Sequence, residues 1–123
     1  MNTILLTDDD PDLVALVQLK LTDSDYRLII ARDGEEAVQT CLEQSPDLVL
    51  MDIEMPNMNG FDATKTLRSK GFTNPIIILT ASDSEEDRKT ADELGCNGYI
   101  LKTEDLPNVK SMIDWTLLHY LNV

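Results

Sequence analysis

Apolar residues in this chain follow two alternating patterns. Residues 4–7, 26–31, 48–51, 76–79 and 99–101 are short runs, each the length of a strand. The run at 48–51 is unbroken and predicts a strand buried on both faces. Between the runs, apolar positions recur at helical spacing. Residues 11–21 carry Leu13, Leu16, Val17 and Leu21 on one face; Asp10 suits the cap and Pro11 the first turn. Asp33 opens a second helix, with Glu36 three residues on as in a capping box, and the helix ends near Glu43, before Pro46. A third helix spans 60–70 and is closed by Gly71. Ser82 or Ser84 caps a fourth, which Gly95 closes, and a last helix is expected over about 104–121. Five strand–helix repeats imply an α/β domain with parallel pairing, right-handed crossovers and helices on both faces.

In such open sheets ligands gather beyond the carboxyl ends of the strands. Those ends carry Asp8 and Asp9 after the first strand, Asp52 after the third, Thr80 after the fourth and Lys102 after the fifth. Each has an ordinary structural reading: turn former, strand-end threonine, loop lysine. Their convergence on one rim points to chemistry. Three carboxylates there repel one another and raise each other's pKa. A divalent cation removes the conflict, and oxygen-only ligands suit Mg²⁺. An aspartate can attack phosphorus to form an acyl phosphate. The cation would neutralise incoming phosphoryl oxygens, Lys102 would pair with another, and Thr80 would donate to a third. Asp52 thus reads as a phosphoryl acceptor.

The totals narrow the partners. A chain of 123 residues supports one core. The formal net charge of −13 disfavours direct nucleic-acid binding and fits a module that meets basic patches or a cation. No run reaches membrane-span length, and the start MNTILLTDDD lacks a signal-peptide pattern, so a cytoplasmic location is expected. Cys41 and Cys96 are expected as free thiols, and one histidine without a CxxC pair argues against zinc.

The segments ILLTDDDP, ARDGEEAV, PDLVLMDIEMPNMNGFD, PIIILTA and GCNGYILK resemble the receiver domain of two-component response regulators. The resemblance covers essentially residues 1–123 as a single chemotaxis-regulator-like receiver with no output domain in this chain. It implies a flavodoxin-like (βα)5 fold, a doubly wound five-stranded parallel sheet of order 2-1-3-4-5. It implies that Asp52 receives a phosphoryl group from a sensor histidine kinase or histidine phosphotransfer protein. It implies Mg²⁺ bound by Asp9, Asp52 and the backbone carbonyl of Glu54, with Asp8 acting mainly through water. Thr80 and Tyr99 would be the switch pair. The face formed by the fourth helix, fifth strand and fifth helix would then change its output or dimer partner. The chain itself would be no enzyme beyond its own phosphorylation and dephosphorylation.

Two departures from the family pattern stand out. Glu54 places an acid two residues past the acceptor, and Thr103 replaces the family's proline after the lysine. A cis bond before a non-proline residue costs roughly 3–4 kcal/mol, so Lys102–Thr103 is expected to be trans. Lys102 should still reach Asp52, with Thr103 or Glu104 capping the last helix. That helix should bury Leu106, Val109, Ile113, Leu117 and Tyr120, while Met112, Trp115 and Leu118 form a second apolar stripe; His119 is expected to be structural or exposed. Two other functions compete with the switch. An aspartyl-nucleophile phosphatase of the haloacid-dehalogenase type would carry its nucleophile after the first strand. A degenerate receiver would bind partners without phosphorylation and would not need the intact set of site residues.

Overall fold

The computed structural model describes residues 2–120 of the chain. Five strands, β1 (Thr3–Thr7), β2 (Arg27–Ala31), β3 (Leu48–Met51), β4 (Ile76–Thr80) and β5 (Gly98–Leu101), pair in parallel in the order β2-β1-β3-β4-β5. They alternate with α1 (Pro11–Lys20), α2 (Gly34–Gln44), α3 (Gly60–Ser69), α4 (Glu85–Glu93) and α5 (Val109–Tyr120). This is the flavodoxin-like order that the family resemblance implies.

Every residue of β3 has no exposed surface, as its unbroken apolar run requires. Alternate side chains feed two cores. Ile4, Leu6, Leu48 and Leu50 pack with Val14, Val17, Val109 and Ile113 of α1 and α5. Leu5, Val49, Met51 and Ile78 pack with Ala37, Ala63, Leu67 and Ala91 of α2, α3 and α4. Fully burying an aliphatic side chain stabilises by roughly 1.5–3 kcal/mol, so β3 anchors the sheet from both sides.

Local chemistry sets the helix starts. Asp10, Asp33, Asn59 and Ser84 each accept a backbone N–H of the first turn at 2.8–3.0 Å. Ser84, not Ser82, caps α4. The Glu36 carboxylate reaches back one residue past the cap, to the N–H of Arg32 at 3.2 Å. Gly71 and Gly95 follow α3 and α4 with φ of +87° and +83°, which favours glycine.

The sequence expectations need four corrections. Leu16 is exposed and Val14 takes its place in the core; residues 13–17 are apolar throughout (LVALV), so spacing alone cannot fix the rotation of α1. The last helix does not begin near 104. Residues 102–105 form turns, Leu106–Asn108 is a 3₁₀ turn, and α5 starts at Val109. Pro107 disfavours α geometry at Leu106 and has no N–H to donate. Neither Thr103 nor Glu104 caps the helix; Asp105 holds the cap position of the 3₁₀ turn but makes no side-chain capping bond. Tyr120 is exposed, whereas Leu106, Val109, Ile113 and Leu117 are buried as expected. Trp115 and Leu118 are exposed, and Met112 packs partly against the core. Position 121 lies outside the described residues. Cys41 and Cys96 are free thiols. Among the described residues no helix is long and apolar enough to cross a membrane.

Candidate functional site

The strand register assembles the site. Thr7 pairs with Met51, so the next residues, Asp8 and Asp52, leave the sheet side by side. Thr80 pairs with Leu101, which brings Lys102 to the same rim. The ladder continues one step further on each strand. Asp52 N–H donates to the Thr7 carbonyl at 3.0 Å, and Lys102 N–H donates to the Thr80 carbonyl at 2.8 Å. The backbone positions of these side chains are therefore as fixed as the sheet.

Asp8 and Asp52 are buried, at 0% and 6% exposure, while Asp9 is exposed. One carboxylate oxygen from each of Asp8, Asp9 and Asp52 lies within 4.8 Å of the others. The Lys102 ammonium stands 2.9 Å from Asp8 Oδ2 and 3.3 Å from Asp52 Oδ1. Asp8 Oδ1 accepts the Asp10 N–H at 2.9 Å. Asp8 Oδ2 is buried, and its charged partner is the Lys102 ammonium. Three carboxylates against one ammonium leave excess negative charge in a partly dry site. Burial, and then the neighbouring Asp8 charge, push the Asp52 carboxyl from 3.8 up to about 6, with Lys102 opposing. Burial alone would lower the lysine's pKa, but its contacts with Asp8 and Asp52 raise it above its ordinary value. Hard oxygen donors gathered within reach of one another and unbalanced negative charge together fit a small divalent cation such as Mg²⁺.

Asp52, Glu54, Thr80, Ala81, Ser82 and Lys102 line an open cleft of about 360 Å³. The Thr80 hydroxyl is buried and accepts the Ser82 N–H at 3.1 Å. The Ser82 carbonyl accepts the Tyr99 hydroxyl at 2.7 Å, and the Ser82 hydroxyl donates to Asp87 of α4 at 2.6 Å. Arg88 lies 4.4 Å from the centre of the Tyr99 ring. Ser82 thus links Thr80, Tyr99 and the first turn of α4, a role that sequence reading did not give it.

Every described peptide bond is trans, Lys102–Thr103 included, and Lys102 still faces Asp52. In the sequence Gly60 opens a helix and stands in the segment PDLVLMDIEMPNMNGFD that carries the family resemblance; the structure shows the constraint behind it. A Cβ on Gly60 would lie 1.9 Å from the Asp52 carbonyl oxygen. A Cβ on Gly34 would lie 2.2 Å from the Met58 carbonyl oxygen, which accepts the Gly34 N–H. Asn57, at φ +66°, donates from its side chain to Asp33 at 2.8 Å. The loop after Asp52 is therefore pinned to the start of α2.

Comparison with known proteins agrees with this fold and shows its family. Residues 4–114 match the family profile described as "Response regulator receiver domain". The transcriptional regulatory protein CpxR of Escherichia coli is 45% identical over 102 residues, which are 83% of this chain and 43% of that protein. The alkaline phosphatase synthesis transcriptional regulatory protein PhoP of Bacillus subtilis is 39% identical over 99 residues, 80% of this chain and 41% of that protein. The chain thus spans less than half the length of these curated relatives. Among solved structures, the BeF3-activated N-terminal receiver domain of Klebsiella pneumoniae RstA superposes with a TM-score of 0.87 at 30% identity, covering 94% of this chain and 98% of that one. Vibrio cholerae CheY4 gives 0.86 at 26% identity, covering 94% and 98%.

Proposed function

The chain belongs to the response regulator receiver family, and on that basis we propose that it is a phosphorylation-dependent switch whose acceptor is Asp52. The observation that carries the reading is Asp52 itself, a buried strand-end carboxylate flanked by Asp8, Asp9 and Lys102 at the mouth of a cleft. A carboxylate oxygen of Asp52 attacks the phosphorus of a phosphohistidine on a sensor kinase or phosphotransfer protein. The new P–O bond forms as the P–N bond breaks, and the departing imidazole nitrogen takes a proton. Lys102, already against Asp52, pairs with a phosphoryl oxygen as a point charge. Thr80 exchanges its contact with the Ser82 N–H for donation to another phosphoryl oxygen. Asp8, Asp9, Asp52 and the Glu54 carbonyl would hold Mg²⁺, which supplies charge neutralisation for the transferring group. The exposed Glu54 side chain borders the same cleft.

Release of Ser82 by Thr80 would be felt by Tyr99 and α4, so the α4–β5–α5 face is the proposed partner surface. CpxR and PhoP are transcriptional regulatory proteins; the −13 charge of this chain argues against DNA contact by the receiver itself. Free Cys41 and Cys96 accord with a cytoplasmic, reducing setting. Incubation with a small phosphodonor and Mg²⁺, followed by intact mass, separates the three functional classes. A lasting added phosphoryl group supports the switch. Turnover of phosphate esters supports the phosphatase, and no change supports the degenerate receiver.

A further inference from the structure

The replacement of proline by Thr103 raises a positioning problem. Lys102 must be held against two carboxylates, yet the following residue has a free φ and the turn over 102–105 is exposed at Thr103 and Glu104. Something else must fix where the lysine leaves the sheet. β5 is an edge strand. Because the Lys102 N–H points inward to Thr80, the preceding Leu101 N–H points away from the sheet, where no strand can receive it. Asp105 meets that need. Its carboxylate accepts the Leu101 N–H at 2.9 Å. Its own N–H donates to the Leu101 carbonyl at 2.8 Å, and the Glu104 N–H adds a longer bond to the same oxygen at 3.3 Å. Asp105 also sits at the cap position of the following 3₁₀ turn, and its side chain makes no capping bond there. Its carboxylate serves the strand end rather than the helix.

We infer that Asp105 is a positioning residue for Lys102. It grips both backbone groups of Leu101 and closes a ring around the lysine, which holds the ammonium within 2.9 Å of Asp8 and 3.3 Å of Asp52. The inference rests on the switch reading for its kinetic consequence but not for its geometry.

The test uses the whole chain with Asp105→Ala and Asp105→Asn, alone and combined with Lys102→Ala. Labelling of Asp52 by a small phosphodonor with Mg²⁺ is followed by mass, and the Lys102 ammonium is followed by nitrogen-15 NMR. Asp105→Ala should slow labelling by about tenfold or more, since a small misplacement of a catalytic group costs that much. Asp105→Asn keeps an acceptor oxygen and should recover most of the rate. In the Lys102→Ala background, Asp105→Ala should cost nothing further. Wild-type rates in Asp105→Ala, or an undiminished extra loss without Lys102, overturn the inference. The resonance is independent of phosphorylation. A Lys102 ammonium signal unchanged in Asp105→Ala overturns the positioning role even where the wild type is labelled. A signal moved to that of solvent lysines supports it even where wild-type labelling fails and the switch reading alone falls.

Discussion

At the scale of single residues, Asp52 is a charge placed where charge is disfavoured. Its folded-state pKa, about 6, lies above the ordinary 3.8. A raised carboxylate pKa means the folded state holds the proton more tightly than the unfolded chain. The Asp52 contribution therefore opposes folding fully above about pH 6 and vanishes below about pH 4. Without divalent cations this costs up to roughly 3 kcal/mol at neutral pH. Asp52→Asn keeps the size, removes the charge and should be the more stable protein by about 1–3 kcal/mol near neutrality, with the advantage gone near pH 4. Urea unfolding of both proteins in chelator checks this, and a difference independent of pH would contradict it.

At the scale of elements, the strand ends were legible and their supports were not. Asp8, Asp52, Thr80 and Lys102 could be placed because an apolar run announces its own end, and a parallel sheet puts those ends on one rim. Gly60 stands in the segment that carries the family resemblance, but the reason for it was hidden, since its constraint is the carbonyl of a residue eight positions back. Gly60→Ala should destabilise by about 2 kcal/mol or more and slow labelling of Asp52, because either the loop or the acceptor must move. Thermal melts and phosphodonor kinetics would show both effects. Arg68 was equally hidden, because an arginine in the last turn of a helix reads as a surface charge. In the structure it donates to the carbonyls of Phe72, Asn74 and Gly95 and to the Asn97 side chain, tying α3 to the segments before β4 and β5. Arg68→Ala leaves those acceptors without their donor and should cost about 2–3 kcal/mol, measured by chemical denaturation. The late start of α5 escaped because the apolar spacing of Leu106 and Val109 suits a helix, whereas Pro107 interrupts one.

At the scale of the molecule, a −13 net charge with three carboxylates gathered at one rim makes cation binding a stability term. Millimolar-scale Mg²⁺ should raise the melting temperature by mass action, and Asp52→Asn should blunt the rise. Sodium at matched ionic strength should give a smaller effect, since screening acts on the whole surface and not on one site. Calorimetry in which both salts act alike on both proteins would refute a specific site. The remaining claim, that this rim exists to accept a phosphoryl group on Asp52, is tested most directly by locating the modification. The protein is treated with a small phosphodonor and Mg²⁺, reduced with borohydride to convert an aspartyl phosphate to homoserine, and mapped by peptide mass spectrometry. Homoserine at position 52, absent when Mg²⁺ is withheld, is the expected result; an unmodified Asp52 with the label on Asp8, Asp9 or a histidine would contradict it.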